Sequence, residues 1–382
     1  MKLALSMPER PLSQGDAARF ARHMSIPSIG IAGQQRLRAA RVLVVGAGGL
    51  GSPAIMYLAG AGVGTLGIVD DDVVDESNLQ RQIIHSASGI GRPKVESAQE
   101  FVNRLDKDID VIQHRVRLDE TNVMSLVSQY DVVVDGSDNF TTRYLVNDAC
   151  ALMEKPCVWG SVYQFSGQAS VFWKNHGPCY RCLFPEPPPA EYAPSCAEGG
   201  VFGAVCGTIG ALQAAEAIKL ISGVGEPLLG RMWVQDSSSA KTKVLGIAKD
   251  PNCPLCGDNP TISSPQTVSS SCLIPAPELP AVSAAELESM IASGSDLGEV
   301  EVWDIREEFE WASGTIPGAM LVGASGLAQK RLEKVQRQVV IYCQGGVRSS
   351  RALPALLDKG ISAKHLDGGM DAWIAMKERE LL

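Results

Sequence analysis

Positive charge is scarce in this 382-residue sequence, which has 34 lysines and arginines against 43 aspartates and glutamates and a formal net charge of −9. Nucleic acids and anionic membrane surfaces bind to clustered cations, so this balance argues against either as the main partner. It still allows a few local cations around a phosphate group. Aromatic residues make up only 5%, but hydrophobic residues make up 45% and charged residues 20%, as in a globular protein of two or three domains.

Long apolar runs are also missing. The chain has no stretch of about 18 uninterrupted apolar residues, so we expect no membrane-spanning segment. Its first residues, MKLALSMPERPLSQGD, lack the apolar core and the cleavage site of a signal peptide. We therefore expect a cytoplasmic protein in a reducing compartment. There the ten cysteines would be metal ligands, catalytic thiols or core residues rather than disulfides.

Three segments are predicted along the chain. Residues 1–256 alternate strand-like and helical stretches, with a long helix predicted over residues 207–220. This alternation is typical of a doubly wound, mainly parallel α/β sheet. Residues 257–280 are rich in Pro, Ser and Thr and predict a linker. Residues 281–382 form a second, smaller α/β pattern with strands predicted in EVWDIR and VVIYC.

A glycine-rich turn follows the first predicted strand. The run VLVV leads into Gly46, Gly48, Gly49 and Gly51, and a helical stretch comes next. A strand, a glycine turn and a helix N-terminus bring backbone N–H groups close to phosphate. Asp70 ends the next strand at about the offset of a ribose-binding carboxylate. The turn alone would suit NAD as well as ATP, and a tight turn that binds nothing is the remaining alternative.

Residues further along favour ATP. Arg81 and Lys94 follow the ribose carboxylate, where a triphosphate needs neutralising charge and a dehydrogenase has no obvious use for it. Asp138 and Asn139 follow a later strand at its carboxyl end, where ligands bind in open α/β sheets. A carboxylate at that place suits Mg²⁺, which prefers oxygen ligands.

In order and spacing, the segments GAGGLG, SNLQRQ, GRPK and DGSDN resemble the MoeB/ThiF branch of ubiquitin-activating-enzyme-like adenylyltransferases, over residues 18–257. The resemblance implies a Rossmann-like fold that uses ATP to adenylate the C-terminal glycine of a small ubiquitin-like sulfur-carrier protein ending in Gly-Gly. It implies nucleotide contacts from the motif residues, with Asp138 organising Mg²⁺ and the others being the four glycines, Asp70, Ser77, Asn78, Arg81, Lys94 and Asn139.

The same resemblance implies a homodimer. Arg22 matches an arginine that reaches the nucleotide of the partner subunit, although His23 stands where many relatives have Gln. The alternative for Arg22 is a solvated charge on a helix.

Four cysteines form two C-x-x-C pairs, Cys179 with Cys182 and Cys253 with Cys256. Four thiolates suit tetrahedral structural zinc, and a redox-active pair is the alternative. The flanking segments PCYRCLFP and NCPLCG also match the family. Cys196 lies in a stretch of small residues that predicts a loop. The resemblance makes Cys196 a candidate for a covalent intermediate with the carrier, and an unreactive loop cysteine is the alternative.

A second reactive thiol is predicted near the C-terminus. The strand VVIY leads into Cys343, two glycines and Arg348, and a helix is predicted from Arg351. Backbone N–H groups and the charge of Arg348 would hold the Cys343 thiol as an anion. With DIRE, GTIPGA and LDGGMDAW, this segment resembles the rhodanese domain over residues 281–382.

Rhodanese-like domains carry sulfur as a cysteine persulfide, so the resemblance implies this role for Cys343. Thr315 stands where many relatives have His, and Gln344 where many have Arg or Lys. The reduced charge favours a protein persulfide donor, of the cysteine-desulfurase type, over thiosulfate. A rhodanese fold without activity is the alternative.

The two resemblances together imply an adenylyltransferase and sulfurtransferase that makes a carrier thiocarboxylate, for molybdopterin, thiamin, cysteine or tRNA-thiolation pathways. Two other function classes stay open. An NAD-dependent oxidoreductase with a fused thiol module would bind nicotinamide and exchange no pyrophosphate. A non-enzymatic scaffold for ubiquitin-like proteins would bind them without forming AMP.

Overall fold

The structure is a computed structural model that describes residues 5–187, 200–266, 279–292, 300–323 and 337–380. The chain divides into two compact units, residues 1–272 and 273–382. The domain limits at 256 and 281 stay predictions. The start of the predicted linker is part of the first unit. There the N–H groups of Thr261 and Ile262 donate to the carbonyl of Pro254.

An eight-stranded sheet in the order β3-β2-β1-β4-β5-β6-β7-β8 forms the centre of the first unit. Strands β1 to β5 are parallel, and β6 to β8 extend the sheet with antiparallel pairs. The predicted mixed α/β fold with a parallel sheet is confirmed. The strands are β1 (Arg41–Val45), β2 (Thr65–Val69), β3 (Asp110–His114), β4 (Val132–Asp135), β5 (Cys157–Tyr163), β6 (Ser166–Phe172), β7 (Arg231–Asp236) and β8 (Lys241–Gly246).

Nine helices of the described residues belong to this unit. They are α1 (Gln14–Arg19), α2 (Ala21–Met24), α3 (Gly30–Ala39), α4 (Gly51–Gly60), α5 (Lys94–Leu105), α6 (Val123–Ser128), α7 (Phe140–Leu152), α8 (Tyr180–Leu183) and α9 (Gly203–Ser222). Helix α9 is longer than the predicted 207–220. It ends where Gly223 adopts a left-handed conformation with φ +74°, a common stop for helices.

The apolar residues of the strands alternate between two faces of the sheet. Val42 and Val44 point into one hydrophobic layer, and Leu43 and Val45 point into the other. Because side chains of a strand alternate with period two, the continuous run VLVV predicts burial on both faces.

Helix α9 is the one helix in the described part of the chain with the length and hydropathy to cross a membrane. It packs against α4, β5 and β6. Val205, Ile209 and Ala217 are fully buried in this packing. The apolar composition of α9 is therefore explained by its place in the core of the first unit.

The order of the strands reverses at β1. Strands β2 and β3 lie on one side of β1 and β4 lies on the other, with Val45 in register with both Val69 and Asp135. Open α/β sheets bind ligands at the carboxyl ends of the strands at such a reversal. The loops after β1, β2 and β4 consequently border one crevice.

The second unit contains a five-stranded parallel sheet in the order β11-β10-β12-β13-β9. Its strands are β9 (Ala281–Val282), β10 (Val300–Asp304), β11 (Met320–Leu321), β12 (Gln338–Tyr342) and β13 (Ala363–Leu366). Its helices are α10 (Ala284–Ala292), α11 (Glu308–Trp311), α12 (Val347–Leu357) and α13 (Gly369–Glu380).

The predicted start of α12 at Arg351 is wrong, because the helix begins at Val347. Gly346, with φ +82°, completes the turn that leads into the helix. Arg348 therefore lies in the first turn of α12.

We expect Leu58→Ala in α4 to lower the free energy of unfolding of the first unit by about 3 kcal/mol, because it opens a cavity in a fully buried layer. Urea denaturation followed by circular dichroism measures the effect. Asn103→Ala, at an exposed position of the adjacent α5, is the control and should change little. Equal midpoints for the two variants would contradict this packing.

Candidate functional site

Backbone atoms approach each other closely in the turn after β1. Gly46 has a left-handed φ of +87°, and its N–H donates to the carbonyl of Val69 at 2.8 Å. A Cβ atom on Gly51 would lie 1.7 Å from the carbonyl oxygen of Gly46. Glycine is therefore required at both positions for the turn to close onto the N-terminus of α4.

Asp70 fixes this turn from the end of β2. Its carboxylate accepts hydrogen bonds from the N–H groups of Ala47 at 2.8 Å and Asp72 at 2.9 Å. Burial raises the pKa of the Asp70 carboxyl, and the nearby charge of Lys94 acts in the opposite direction. The structure thus gives Asp70 a positioning role, and its contact with ribose stays a prediction.

His85 supports the turn from below, a role that sequence reasoning missed. Its Nε2 lies 2.9 Å from the carbonyl oxygen of Ala47, and its Nδ1 lies 2.9 Å from Ser97 Oγ. Burial lowers the pKa of His85, which favours the neutral imidazole. A polar ring just after SNLQRQ was the only sequence signal for this contact.

The two side chains predicted to neutralise phosphate, Arg81 and Lys94, lie between the end of β2 and the start of α5. The Lys94 ammonium donates to Asp72 Oδ2 at 2.9 Å, with Lys94 buried and the Asp72 carboxylate exposed. Arg81 Nη1 donates to the carbonyl of Ser77 at 3.1 Å. Both side chains border the cavity of this crevice.

The loop after β4 supplies the predicted metal carboxylate. Asp135 is buried and accepts hydrogen bonds from the N–H and the hydroxyl of Ser137, and burial raises its pKa. Asp138 is exposed at the crevice. The Asn139 side chain accepts from the N–H of Thr142 at 2.9 Å and so caps α7.

These elements enclose a cavity of about 310 Å³, which lies within the size range of ligand pockets. Of the predicted site residues, it is lined by Gly46, Gly48, Gly49, Asp70, Arg81, Lys94, Asp138 and Asn139. Three others, Gly51, Ser77 and Asn78, do not line it. Arg22 is exposed on α2 and does not reach this cavity within its own chain.

The cavity also contains polar residues that sequence reasoning missed, among them Gln82, Arg117, Thr142, Arg143 and Cys206. Arg143 is buried one turn into α7, where its guanidinium lies over the rings of Phe140 and Trp159. Its position just after DGSDN, on the helix that this motif caps, was an available signal.

The two C-x-x-C pairs meet in space. The Sγ atoms of Cys179 and Cys253 are 3.5 Å apart, those of Cys182 and Cys256 are 3.3 Å apart, and all four lie within 4.8 Å of one another. A tetrahedron of thiolates around zinc, at bonds of about 2.3 Å, has edges of about 3.8 Å. The donor set and its spacing fit such an ion.

The four thiols depend on one another. Their hydrogen bonds raise the pKa of Cys179, chiefly through Cys182, and lower the pKa of Cys182 to about 6, chiefly through Cys179. A cation at the centre would allow all four to ionise.

Helix α7 holds the first pair in place. The guanidinium of Arg181 forms a buried, two-bond ion pair with Asp148 at 2.8 and 2.7 Å. The N–H of Tyr180 donates to Asn147 Oδ1 at 2.8 Å. These contacts hold the first C-x-x-C turn against α7.

Cys343 lies at the carboxyl end of β12 and is 1% exposed. Its Sγ accepts a hydrogen bond from the N–H of Ser349 at 3.4 Å, in the first turn of α12. A Cβ atom on Gly369 would lie 2.3 Å from the carbonyl oxygen of Cys343, so the DGGMD segment must carry glycine for α13 to pack against the loop. The expected thiol at a helix N-terminus is present.

The predicted positive charge beside this thiol is paired. Arg348 donates to both carboxylate oxygens of Glu310, at 2.7 and 2.5 Å. This pairing raises the pKa of Arg348. Sequence reasoning missed Glu310, because the two residues are 38 positions apart.

Cys196 lies outside the described residues, so its predicted role keeps its two alternatives. Cys150, Cys157 and Cys206 are buried, as expected for core cysteines. Cys206 also borders the cavity beside Gly49, where a Cβ atom would lie 3.0 Å from its Sγ.

Comparison with known proteins decides the family. The ThiF family matches residues 20–255, more than half of the chain. The chain belongs to the ThiF family. The Rhodanese-like domain matches residues 283–376, so this ThiF-family chain continues into a rhodanese-like unit. Both resemblances seen in the sequence are confirmed.

Several relatives share both parts. The probable adenylyltransferase/sulfurtransferase MoeZ of Mycobacterium tuberculosis is 45% identical, covering 98% of this chain and 97% of that protein. The adenylyltransferase and sulfurtransferase MOCS3-2 of Zea mays is 38% identical over 93% of this chain and 78% of that protein. A sulfur carrier protein adenylyltransferase of Thermus thermophilus is 48% identical over 64% of this chain and 92% of that protein.

A solved structure shares the fold of the first unit. E. coli MccB, crystallised with MccA-N7isoASN, superposes with a TM-score of 0.57 at 24% identity, covering 63% of this chain and 75% of that one. At this identity the likeness concerns the fold alone.

Proposed function

We propose that this chain uses ATP to adenylate the C-terminal glycine of a ubiquitin-like sulfur-carrier protein, and then replaces the AMP with sulfur held on Cys343. The observation that carries the proposal is the joining of two sites in one ThiF-family chain. Arg81, Lys94 and Asp138 meet in a cavity at the reversal of the first sheet, and the rhodanese-like unit has a thiol at a helix N-terminus.

In the first step, the glycine carboxylate of the carrier attacks the α-phosphorus of ATP and pyrophosphate leaves. The carboxylate is already ionised at neutral pH and needs no general base. The protein therefore contributes position and charge. Backbone N–H groups of the turn at Gly46–Gly51, with Arg81 and Lys94, hold the phosphates, and Asp70 keeps the turn in shape.

Asp138 would hold Mg²⁺, which supplies positive charge to the phosphate oxygens when bound. The fit rests on an exposed carboxylate that borders the cavity between the glycine turn and the N-terminus of α7. Asn139 keeps the helix end in place through its capping hydrogen bond.

In the second step, the terminal sulfur of a Cys343 persulfide attacks the carrier's acyl carbon, and AMP leaves. The product is an acyl disulfide on Cys343. A second thiol then attacks the sulfur of Cys343, releasing the thiocarboxylate and leaving a disulfide, which a cellular thiol reduces. Cys196 is our candidate for this second thiol.

The remaining assignments concern metals and partners. One structural zinc would be held by Cys179, Cys182, Cys253 and Cys256. It would link residues 253–256 to the C-x-x-C turn at the start of α8. The partners are a carrier ending in Gly-Gly, a persulfide donor and a second copy of this chain, with Arg22 reaching the nucleotide of the other subunit. We place the protein in the cytoplasm, without a nucleic acid or membrane partner, in a molybdopterin- or thiamin-type sulfur pathway.

The two steps should separate by mutation. We expect Asp138→Ala to lower carrier-dependent ATP–pyrophosphate exchange by about 100-fold, because a metal carboxylate is lost. Cys343→Ala should keep full exchange and form no carrier thiocarboxylate. Radiolabelled pyrophosphate measures the first step, and intact-mass spectrometry of the carrier measures the second. Full exchange in Asp138→Ala, or nicotinamide binding instead of ATP, would overturn the adenylation site.

Zinc content and stability should fall together. We expect Cys253→Ser to lose the metal, present at about one ion per chain, and to lower the melting temperature of the first unit, because metal binding contributes directly to folding. Cys150→Ser is the matched control, since it removes a buried thiol outside the cluster and should keep zinc. Folded wild-type protein without zinc in elemental analysis would refute the assignment.

Action across a dimer is tested by mixing. A chain with Arg22→Ala and a chain with Asp138→Ala should each be nearly inactive in exchange. Mixed dimers should recover one working site, because one subunit supplies Asp138 and the other supplies Arg22. No recovery in dimers shown to exchange subunits would place Arg22 outside the site.

A further inference from the structure

The arginines near Cys343 are paired with carboxylates. Two guanidinium groups contact the loop of residues 343–348: Arg348 belongs to it, and Arg306 Nη1 donates to Gln344 Oε1 at 3.0 Å. Both groups already hold a carboxylate through two bonds. Arg348 holds Glu310, and the fully buried Arg306 holds Asp304, with its Nη2 2.8 Å from Asp304 Oδ2.

A third carboxylate completes the surroundings. Asp371, in the first turn of α13, accepts a hydrogen bond from Gln344 Nε2 at 2.5 Å. Among the residues that the structure describes, these contacts bring three carboxylates and two guanidinium groups to the loop. Arg351 lies one turn after Arg348 on α12. Its side chain is exposed, so solvent and salt screen its charge.

This arrangement treats sulfur donors differently according to their charge. Thiosulfate is a dianion, and its sulfonate would need a free cation beside Cys343. Glu310 occupies one N–H on each terminal nitrogen of Arg348, and its carboxylate neutralises the guanidinium charge that a sulfonate would need. The pair is partly buried, with Glu310 14% and Arg348 26% exposed, so separating it costs free energy. A hydropersulfide carries at most one negative charge, and its leaving group is a thiolate.

From this pairing we infer that Glu310 is a specificity residue, which acts through Arg348 to exclude thiosulfate and to reserve Cys343 for hydropersulfide donors, with Asp371 adding to the same effect. The inference rests on the proposed sulfurtransferase role of the second unit. The Cys343 thiolate attacks the outer sulfur of R–S–SH, the S–S bond of the donor breaks, and R–S⁻ leaves. Cys343–S–SH forms with no external oxidant or reductant.

The test uses the full-length protein and two donors, sodium thiosulfate and cysteine hydropersulfide, at constant ionic strength. Loading of Cys343 is followed as the gain of one sulfur by intact mass. For the wild type we expect kcat/KM with the hydropersulfide to exceed that with thiosulfate by about tenfold or more. Glu310→Gln keeps the shape of the side chain and removes its charge.

Glu310→Gln should lower KM for thiosulfate by about fivefold or more, because Arg348 becomes free to bind the sulfonate, and should leave loading from the hydropersulfide nearly unchanged. Glu308→Gln, exposed on the same helix, is the matched control and should change neither donor. Asp371→Asn should also lower KM for thiosulfate. It replaces Glu310→Gln in the test if that variant does not fold stably.

An unchanged thiosulfate KM in a folded Glu310→Gln or Asp371→Asn protein would overturn the specificity role. So would a wild type that uses both donors equally well. No loading of Cys343 from either donor in any variant would instead overturn the proposed sulfurtransferase function. The two failures are therefore distinguishable.

Discussion

Close contact between backbone segments at the carboxyl ends of β1 and β4 is the constraint on which the first unit depends. The N–H of Gly136 donates to the carbonyl of Val45 at 2.9 Å, and a Cβ atom on Gly136 would lie 3.1 Å from the nitrogen of Gly51. The contact is tight at Gly136, and Gly51 has no room for a Cβ atom, so glycine lets the two loops and the start of α4 meet here. This contact places the glycine turn, Asp138 and the cap of α7 around one cavity.

Buried polar contacts then hold the loops that carry the site. Asp70 accepts a hydrogen bond from the N–H of Ala47, and His85 Nε2 lies within hydrogen-bond distance of the Ala47 carbonyl oxygen. Burial raises the pKa of Asp70 and lowers the pKa of His85, so it favours the neutral form of both side chains. The Lys94–Asp72 pair joins the start of α5 to the loop after β2. Such groups fix a shape that a flexible glycine segment would not keep alone.

The second unit repeats the same physical device with a different purpose. A strand end, a glycine turn and a helix N-terminus surround the Cys343 thiol, whereas phosphate is the proposed ligand of the turn in the first unit. In the first unit Arg81 and Lys94 border the cavity, and the partner of Lys94 is the exposed carboxylate of Asp72. In the second unit Arg348 is paired through two bonds with the partly buried Glu310. This contrast agrees with the proposed ligands, a polyphosphate in the first unit and one sulfur atom in the second.

Sequence patterns were enough to predict the two-part α/β architecture, the glycine turn, the four-cysteine set and the position of Cys343 at a strand end. These features are local, because strand periodicity, glycine at left-handed φ and C-x-x-C turns depend on neighbouring residues. The pairing of groups that are distant in the chain could be read from the folded structure alone. Packing between segments far apart in the chain sets the pairs Arg348 with Glu310, Arg181 with Asp148, and His85 with Ala47. No periodicity encodes those pairings, because the partner of a buried charge is set by where the folded chain places it.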